Sequence, residues 1–477
     1  MVWEANIGLE VHIQLKTKSK LFSGTSTNYG AFPNTQISKI DLAYPGVLPV
    51  LNAEAVKMAV KFGLSINAEI SKTSVFERKN YFYPDLPKGY QITQNEAPLI
   101  KNGFITIHLS EKESRKITIK RAHLEEDAAK SVHKNFTKQT GIDFNRVGVP
   151  LLEIVTAPDL HSAKEAAAYL RTLQILVRYL GISNANMQEG SFRCDANISV
   201  RLKDQKTLGV RTEVKNSNSF RFIERAIDYE IKRQIKILES GGRVIQETRL
   251  YDEINTKTRA MRFKEEAEDY RYFYEPDLLP LKLTDEFIKQ IATELPELPH
   301  EKLQRLQQDY ALNFYDANIL SSDLNTANYF EEVVNTKVSP KLAANWIISE
   351  LASKLHSNNV EIKQSPITSK QLGELLKCIE EQIISGKIAK EVFAALWNKE
   401  GNVDDIIANK GLRQIIDSEV LEKIITAIIA DYPGHSLEYR NGKNSLLDFF
   451  VGKVMDKTRG KANPWQVNNL LKEKLKS

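Results

Sequence analysis

The chain has 477 residues, of which 42% are hydrophobic and 27% charged, and its formal net charge is +5. These values are typical of a globular protein, and the length predicts two to four domains. No apolar run reaches the length of a membrane span, and the first residues lack the basic and apolar regions of a secretion signal. We therefore expect a cytoplasmic protein without a membrane partner.

The two cysteines, Cys194 and Cys378, fall at apolar positions of their local patterns. We expect both in the core, rather than in a disulfide or as nucleophiles. Positive charge is concentrated at the end of the chain, where residues 431–477 hold nine Lys or Arg against five Asp or Glu. A basic end on a nearly neutral chain suggests a polyanionic partner, although surface lysine also serves solubility.

The first predicted element is a strand over residues 7–15, in which apolar and polar residues alternate. Successive side chains of a strand point to opposite faces, so Glu10, His12 and Gln14 share one face. The same alternation returns at 191–200 and 208–215. The polar faces of these two strands carry Arg193, Asp195, Asn197, Arg211, Glu213 and Lys215.

On one shared sheet face, these three rows would combine metal ligands with phosphate-binding cations. Alternation alone more often marks an antiparallel sheet with one solvated face. The rows differ from an ordinary wet face because short carboxylates, His, Arg and Asn dominate over long Lys and Glu. We therefore take a metal and phosphate surface as the hypothesis.

Two further segments belong to this part of the chain. Residues 76–91 read as an aromatic and basic loop containing Lys79, which is either functional or a plug over the sheet edge. A second strand pattern leads into the acids Glu125, Glu126 and Asp127. Acid runs are usually solvated, but next to other carboxylates they supply the oxygen ligands that Mg²⁺ requires.

Two amphipathic helices are predicted, from the capping sequence at 162–165 to Gly181 and over 219–239. A mainly antiparallel sheet covered by helices on one face predicts an α+β domain over residues 1–293, with the other face open for a ligand. Beyond it, helical periodicity predicts an all-α domain at 294–405 and a small α-helical tail domain at 406–477.

The tail carries a cluster of cations at one predicted turn, Lys457, Arg459 and Lys461. Cations at a loop tip suit the backbone of a nucleic acid, and a solvated turn is the alternative. Asn463 and Pro464 then begin the last helix.

Several standard catalytic sequences are absent, including the phosphate-binding Gly-x-x-x-x-Gly-Lys loop, the dinucleotide Gly-x-Gly-x-x-Gly pattern, His-Glu-x-x-His and paired Cys-x-x-Cys. What remains is carboxylates and His for a metal, with Arg, Lys and Asn for phosphate. Phosphoryl transfer uses that mixture, because Mg²⁺ bridges the phosphates while cations stabilise the transferred group.

Five collinear segments carry a resemblance to a known family: IGLEVH at 7–12, RKNYFYPD at 78–85, HLEED at 123–127, GSFRCDAN at 190–197 and DYRYF at 269–273. They resemble the signatures of the GatB family, the B subunits of aspartyl/glutamyl-tRNA amidotransferases. The helical region and the sequence at 460–464 are similar too, so the resemblance covers essentially the whole chain.

This resemblance implies a first "cradle" domain related to the glutamine synthetase fold, which uses ATP and Mg²⁺. It implies phosphorylation of the side-chain carboxyl of Glu on tRNA(Gln) or Asp on tRNA(Asn), followed by amidation with ammonia from an amidase A subunit. A small C subunit would complete a heterotrimer, and the helical and tail domains would bind the tRNA. No DNA partner is expected.

The resemblance also implies roles for the residues found above. The metal ligands would be Glu10, His12, Glu125 and Glu126, with Asp195 and Glu213 as further candidates in catalysis. Nucleotide or acyl phosphate would meet Arg193, Asn197, Arg211 and Lys215. Lys79 would lie near the exit of the ammonia path, and Lys457, Arg459 and Lys461 would contact tRNA.

Many members of the family carry a zinc site formed by two cysteine pairs in the early loop. The matching positions here are Ser23, Thr25, Ser38 and Asp41, which offer no thiolate. We therefore expect no zinc, and a loop held by packing and turns.

Two other functions fit parts of the sequence. A carboxylate–amine ligase acting on free glutamate would use the same chemistry without tRNA. A non-catalytic RNA-binding scaffold would account for the basic tail but not for the carboxylates beside Arg193. Turnover of ATP with and without misacylated tRNA distinguishes these possibilities.

Overall fold

The computed structural model describes residues 2–132, 139–215, 219–263, 270–413, 418–458 and 460–476. The chain divides into two compact units, residues 1–299 and 300–477. The first unit is mixed α/β, and the second is built from helices. The three-domain division at 293 and 405 stays a prediction.

Strands of the first unit are β1 (Trp3–Gln14), β2 (Glu69–Ile70), β3 (Thr73–Ser74), β4 (Glu77–Asn80), β5 (Tyr90–Thr93), β6 (Ile100–His108), β7 (Ser114–Glu126), β8 (Lys130–Val132), β9 (Gly141–Asp143), β10 (Pro150–Thr156), β11 (Phe192–Leu202), β12 (Thr212–Lys215), β13 (Glu247–Asp252), β14 (Lys257–Phe263), β15 (Phe273–Tyr274) and β16 (Leu281–Lys282). Its helices are α1 (Ala53–Ser65), α2 (Ala163–Tyr179), α3 (Phe220–Glu239) and α4 (Asp285–Thr293).

A nine-stranded sheet organises this unit, in the order β14-β13-β12-β11-β1-β10-β7-β6-β2. Among the described strands of this sheet, β12 and β13 run parallel and the other pairs are antiparallel. The three strands predicted to carry polar rows are therefore neighbours at the middle of the sheet, although the third begins only at Thr212 and not at residue 208.

The apolar face of β1 shows why this sheet forms. Ile7, Leu9, Val11 and Ile13 are fully buried in one hydrophobic cluster that also contains residues of α1, α2 and α3. Each such side chain contributes roughly 1.5–3 kcal/mol when buried. The helices cover this face, so the polar side chains of the same strands point the other way.

Both predicted helices are confirmed. Helix α2 begins after Ser162, whose hydroxyl accepts a hydrogen bond from the N–H of Glu165, and Gly181 follows its end with a φ of +68°. Helix α3 begins after Ser219, which caps Phe222 N in the same way. The hydroxyl caps occupy backbone donors that a helix start leaves unpaired.

The early loop, residues 16–52, is held by a buried group that we name the Lys20 cluster (Lys20, Ser23, Thr25, Ser38 and Asp41). The Lys20 ammonium, which is fully buried, lies 3.2 Å from Asp41 Oδ2 and donates to Gln36 O at 2.8 Å. Burial lowers the pKa of Lys20, and the charge of Asp41 opposes that change.

The three hydroxyl residues of the Lys20 cluster also converge on the Asp41 carboxylate. Ser23 Oγ donates to Oδ1 at 2.8 Å, while Thr25 Oγ1 and Ser38 Oγ donate to Oδ2 at 3.3 and 2.9 Å. These are the positions compared above with a zinc site. The sequence predicted a loop held by packing and turns. The structure adds a buried ion pair and its hydrogen bonds to these interactions.

Helices of the second unit are α5 (Pro299–Tyr310), α6 (Phe314–Leu320), α7 (Leu324–Asn335), α8 (Pro340–Trp346), α9 (Ala352–Ser357), α10 (Ser369–Glu380), α11 (Gly386–Trp397), α12 (Val403–Asn409), α13 (Ser418–Asp431), α14 (Pro433–Arg440), α15 (Leu446–Lys457) and α16 (Pro464–Lys476). They form two hydrophobic clusters, one spanning 303–412 and one spanning 421–475. Within the described residues, none of the helices combines the length and the apolarity required to cross a bilayer.

Candidate active site

A row of four side chains crosses the polar face of the sheet, perpendicular to the strands. In the strand register His12 lies opposite Arg193 on one side and Glu153 on the other, and Glu153 lies opposite His123. Side chains directly opposite each other in a sheet share a face. The order along the row is therefore cation, imidazole, carboxylate, imidazole.

Glu125 joins this row to form what we name the carboxylate–imidazole cluster (His12, His123, Glu125 and Glu153). His12 Nε2 lies 3.4 Å from Glu125 Oε1 and 3.5 Å from Glu153 Oε2. His123 Nε2 lies 3.3 Å from Glu153 Oε2 and 3.9 Å from Glu125 Oε2. Each carboxylate is thus within 4 Å of two imidazoles.

Electrostatics within the cluster follow from this arrangement. Burial alone would lower the pKa of both histidines, but the neighbouring Glu153 and Glu125 outweigh it, raising the pKa of His12 and bringing that of His123 to about 9. Burial would raise the pKa of Glu153, yet the two histidines hold it well below its ordinary value. Without a metal, the imidazoles provide the positive charge for the carboxylates.

The cluster also has the geometry of a cation site. One ligand atom from each of His12, Glu125 and Glu153 lies within 4.8 Å of the others. One imidazole nitrogen and two carboxylate oxygens are a donor set that divalent cations accept, and Mg²⁺ would keep waters at its remaining positions. The residues present therefore fit the predicted ion.

Two cations of the polar face are already paired with acids. Arg193 Nη2 lies 2.9 Å from Asp127 Oδ1, and Gln14 Nε2 donates to Asp127 Oδ2 at 2.8 Å. Lys215 Nζ lies 2.6 Å from Asp195. Fixed acids of this kind hold the two cations in place.

The Lys215 ammonium has further acidic neighbours. It lies 3.3 Å from Glu213 Oε1, and Glu213 also accepts a hydrogen bond from Thr248 Oγ1 at 2.9 Å. Burial lowers the pKa of Lys215, but Asp195 and Glu213 raise it more, so its net shift is upward. Lys215 therefore stays charged at neutral pH.

Lys79 reaches the same face from a different element. The sequence predicted a loop over 76–91, but residues 77–80 and 90–93 form strands that pair with each other. From the first of these strands, the Lys79 ammonium lies 4.7 Å from the centre of the Tyr270 ring and 5.8 Å from that of Tyr81. Burial lowers its pKa, and the surrounding Tyr272 and Glu125 shift it upward on balance.

These groups surround one cavity of about 700 Å³. A volume of this order accommodates a nucleotide-sized ligand. Of the residues predicted from the sequence, those that line it are His12, Glu125, Lys79, Arg193, Asp195 and Lys215. The cavity is therefore where the sequence-predicted cations and acids meet.

Three predicted residues lie beside the cavity rather than in its lining. Glu10 accepts a hydrogen bond from Asn197 Nδ2 at 2.8 Å, in the register next to Asp195. Glu213 lies behind Lys215, as described above. Glu10, Asn197 and Glu213 therefore lie outside the cavity lining, and their predicted roles stay predictions.

Glu126 and Arg211 do not line the cavity either, and their predicted roles stay predictions. Glu126 belongs to β7 itself, so alternation turns it away from Glu125; it pairs with Lys88 and accepts from Ile92 N at 2.9 Å. The structure therefore separates it from the predicted metal ligands. Arg211 is exposed and does not line the cavity. It precedes β12, which begins at Thr212 and not at residue 208 as the sequence pattern predicted.

Sequence reasoning missed Glu153 and gave His123 no role. Glu153 is the only charged residue within β10, whose other members are apolar or Thr apart from Pro150. A lone acid in a buried strand needs a compensating partner, and that signal could have identified it. Its pairing with His12 and His123 depends on strand order, which local pattern does not provide.

The predicted tail site lies in the second unit. Lys457 is exposed and Lys461 is half-buried, while Arg459 lies outside the described residues. The turn packs against the helical part of the same unit, since Ser385 Oγ donates to Gly460 O at 3.0 Å. Asn463 Oδ1 accepts from Trp465 N at 2.9 Å, which confirms the predicted cap of the last helix.

Comparison with known proteins covers most of the chain. Residues 5–289 match the family model described as the GatB/GatE catalytic domain, and residues 328–475 match the model described as the GatB domain. Three relatives align over 100% of both chains: proteins of Thioalkalivibrio sulfidiphilus, Coxiella burnetii and Nitrosococcus oceani, at 59%, 56% and 56% identity. Each is named as the B subunit of an aspartyl/glutamyl-tRNA(Asn/Gln) amidotransferase.

Proposed function

The chain belongs to the GatB family of amidotransferase B subunits, and on that premise we propose the reaction that its cavity performs. With ATP and Mg²⁺, it phosphorylates the side-chain carboxyl of Glu on tRNA(Gln), of Asp on tRNA(Asn), or of both. Ammonia then converts the acyl phosphate to Gln-tRNA(Gln) or Asn-tRNA(Asn). The carboxylate–imidazole cluster beside Arg193 and Lys215 is the observation that carries this proposal.

The reaction needs phosphorylation because a carboxylate is a poor acceptor of ammonia: its leaving group would be oxide. Transfer of the γ-phosphoryl group to a carboxylate oxygen breaks the bond to ADP and creates an acyl phosphate. Ammonia then attacks the carbonyl carbon, and inorganic phosphate leaves with the bonding electron pair. Both steps develop negative charge on oxygen, which a cation-lined cavity stabilises.

We propose that His12, Glu125 and Glu153 hold the Mg²⁺ ion, with Glu10, which accepts a hydrogen bond from Asn197, as a further candidate ligand. When bound there, Mg²⁺ would supply positive charge that offsets the negative charge of the nucleotide phosphates. His12 must present a neutral nitrogen to an ion, so it releases the proton that its neighbouring carboxylates favour. His123 remains against Glu153 and orients that carboxylate.

The cations of the cavity bind and orient the anionic groups. Arg193 and Lys215, held by Asp127 and Asp195, face the nucleotide and the acyl phosphate. We propose that ammonia arrives beside Lys79, whose ammonium lies against the Tyr270 ring. Preorganised cations of this kind stabilise the transition state without a further reorganisation cost.

Ammonia comes from another subunit in this proposal. Both cysteines are buried, and burial raises their pKa, so neither provides the thiolate of a glutaminase. An amidase A subunit would release ammonia from an amide donor, and a small C subunit would complete the heterotrimer. The subunit name of the relatives supports such an assembly.

Finer features of the family belong to the same proposal. The unit that contains the sheet is the cradle domain with a fold related to glutamine synthetase. Residues 294–405 form the helical domain and residues 406–477 the tail that binds tRNA through Lys457, Lys461 and Arg459. The assembled protein works in the cytoplasm, does not require zinc, and binds neither DNA nor membranes.

The test is ATP turnover by the assembled three-subunit complex, measured with Glu-tRNA(Gln), with Asp-tRNA(Asn), with free glutamate, and without an acceptor. We expect turnover that depends on one or both misacylated tRNAs. Turnover with free glutamate alone would instead indicate a small-molecule ligase. Binding of tRNA without acceptor-dependent turnover would leave only an RNA-binding scaffold.

A further inference from the structure

Tyr29 is an exposed aromatic residue of the cavity lining to which the reaction above gives no role. Tyr29 lines the cavity, yet 68% of its surface is exposed. Within the described residues, no other ring or cation contacts its side chain. A large apolar face left open at the edge of a charged cavity is a surface suited to a flat ligand.

The segment that carries Tyr29 is anchored on both sides. On the N-terminal side, Thr27 Oγ1 donates to Thr17 O, and Asn28 N donates to Ser26 Oγ at 3.1 Å. Between the anchors, Gly30 adopts a φ of +83°, a conformation that favours glycine. The exposure of Tyr29 is thus a property of an anchored turn.

On the C-terminal side, two asparagines tie the segment to residues 142–145. Asn34 Nδ2 donates to Ile142 O at 3.1 Å and Asn34 Oδ1 accepts from Phe144 N at 2.8 Å. Asn145 Nδ2 donates to Phe32 O at 2.7 Å, and Asn145 Oδ1 accepts from Gln36 N at 2.8 Å. Asn145 itself lines the cavity, so hydrogen bonds connect the segment that carries Tyr29 to the cavity lining.

The cavity therefore has two chemically different parts. Its interior carries carboxylates, the His12 imidazole and cations, which suit a metal and phosphates, while Tyr29 offers an uncharged aromatic face at the rim. A nucleotide has the same division, with charge at its phosphates and a flat uncharged base at the other end. Stacking on an aromatic side chain holds a base without requiring base-specific hydrogen bonds.

We propose that Tyr29 is a binding residue that stacks an adenine base at the rim of the cavity. The proposal rests on the nucleotide chemistry inferred above, and it names the residue that seats the base. Two substrates of that reaction present an adenine base: ATP, and the tRNA through its 3′-terminal adenosine. The shared chemistry is the purine ring, and the experiment distinguishes its source.

The test compares Tyr29→Ala, Tyr29→Phe and Phe32→Ala in the assembled three-subunit complex. Phe32 is the matched control, because it lies on the same anchored segment and is 84% exposed but does not line the cavity. Equilibrium binding is measured with ATP, with tripolyphosphate, and with RNA minihelices that end in CCA or lack the terminal adenosine.

We expect Tyr29→Ala to weaken one adenine-containing ligand about 5- to 150-fold, the range that loss of one stacked base gives. Tripolyphosphate and the shortened minihelix should bind unchanged, and Tyr29→Phe should retain the affinity of the wild type. Weaker ATP alone assigns the base to ATP, whereas a weaker CCA minihelix alone assigns it to tRNA. Unchanged binding of both by Tyr29→Ala, or equal weakening by Phe32→Ala, would overturn the proposal.

Failure of the proposed reaction would give a different result. These binding measurements need no turnover, so they report on the base even in a complex that does not phosphorylate its acceptor. A wild-type complex that binds ATP but shows no acceptor-dependent turnover would refute the reaction and leave the stacking result intact.

Discussion

Two groups of buried charged residues in the first unit differ in how their carboxylates are compensated. In the Lys20 cluster, the carboxylate of Asp41 meets a cation that the chain supplies, together with three hydroxyl donors. In the carboxylate–imidazole cluster, Glu125 and Glu153 each lie within 4 Å of two histidines, whose charge can be removed. The first group belongs to the early loop, whereas His12, Glu125 and Glu153 of the second group line the cavity of about 700 Å³.

The difference shows how a chain separates a structural ion pair from a binding site. A lysine tethered beside an acid satisfies it permanently and leaves no position for a ligand. A histidine can lose its proton, so the acids beside it can accept an external cation in exchange. Four experiments test this contrast, in order of the expected effect.

The largest expected effect is that of removing divalent cations. Chelation with EDTA should abolish acceptor-dependent ATP turnover by the assembled complex, because it removes the Mg²⁺ that we propose the carboxylate–imidazole cluster holds. The melting temperature of the isolated chain should change little, since the Lys20 cluster contains its own cation. Restoration by Mg²⁺ is the control. A chelator that unfolds the chain would contradict the contrast and indicate a structural metal.

Replacing the tethered cation should destabilise the fold. Lys20→Met leaves the Asp41 carboxylate buried without its cation, which typically costs about 3–5 kcal/mol of unfolding free energy. Urea unfolding measures this loss, with the exposed Lys18→Met as the matched control. The double variant Lys20→Met with Asp41→Asn should recover part of the stability. Equal stability of Lys20→Met and Lys18→Met would show that the cluster is dispensable.

Removing one acid of the cavity should weaken Mg²⁺ binding more than it lowers stability, unlike the Lys20→Met change. Glu153→Gln is expected to weaken Mg²⁺ binding about 10- to 100-fold, the range typical of disturbed metal sites, with a smaller change in unfolding free energy. Glu126→Gln, on the opposite face of the neighbouring strand, should leave the Mg²⁺ affinity unchanged. Titration with Mg²⁺ followed by calorimetry makes the comparison. Equal weakening by both variants would mean that strand alternation does not separate them.

The smallest effect concerns Asp127, an acid of the cavity that already has chain cations. Burial raises its pKa, but Arg193 and Arg146 outweigh this and lower it below the ordinary value of 3.8. A lowered folded-state pKa gives stability that is present above pH 3.8 and lost as the pH falls through the folded value.

The measurement for Asp127 is the unfolding free energy between about pH 6 and pH 3, a range that spans the ordinary pKa of an aspartate. Asp127→Asn should reduce the slope of stability with pH by no more than the single-proton limit of about 1.4 kcal/mol per pH unit. The slope should be unaffected by Mg²⁺, because Asp127 belongs with Asp41 as an acid paired by the chain. A slope that depends on Mg²⁺ would place Asp127 among the metal-binding acids instead.

Local sequence pattern accounts for much of the first unit. Alternation at residues 7–15 and 191–200 identified two of the central strands and the face on which His12, Arg193 and Asp195 lie. The two helices followed from their caps and apolar stripes. These predictions succeed because the side-chain period of a strand or helix is set by local backbone geometry.

Local sequence pattern did not predict which side chains meet when the contact depends on pairing between segments remote in sequence. The register between β1, β10 and β7 brings Glu153 between His12 and His123, although 141 and 30 positions separate it from them in the sequence. Likewise, Lys20 meets Asp41 only because the early loop folds back on itself. Residue type and local period determined which side chains could carry charge on one face. Tertiary structure alone decided which of these charges the chain satisfies itself and which it leaves for a ligand, because that depends on distances between segments remote in sequence.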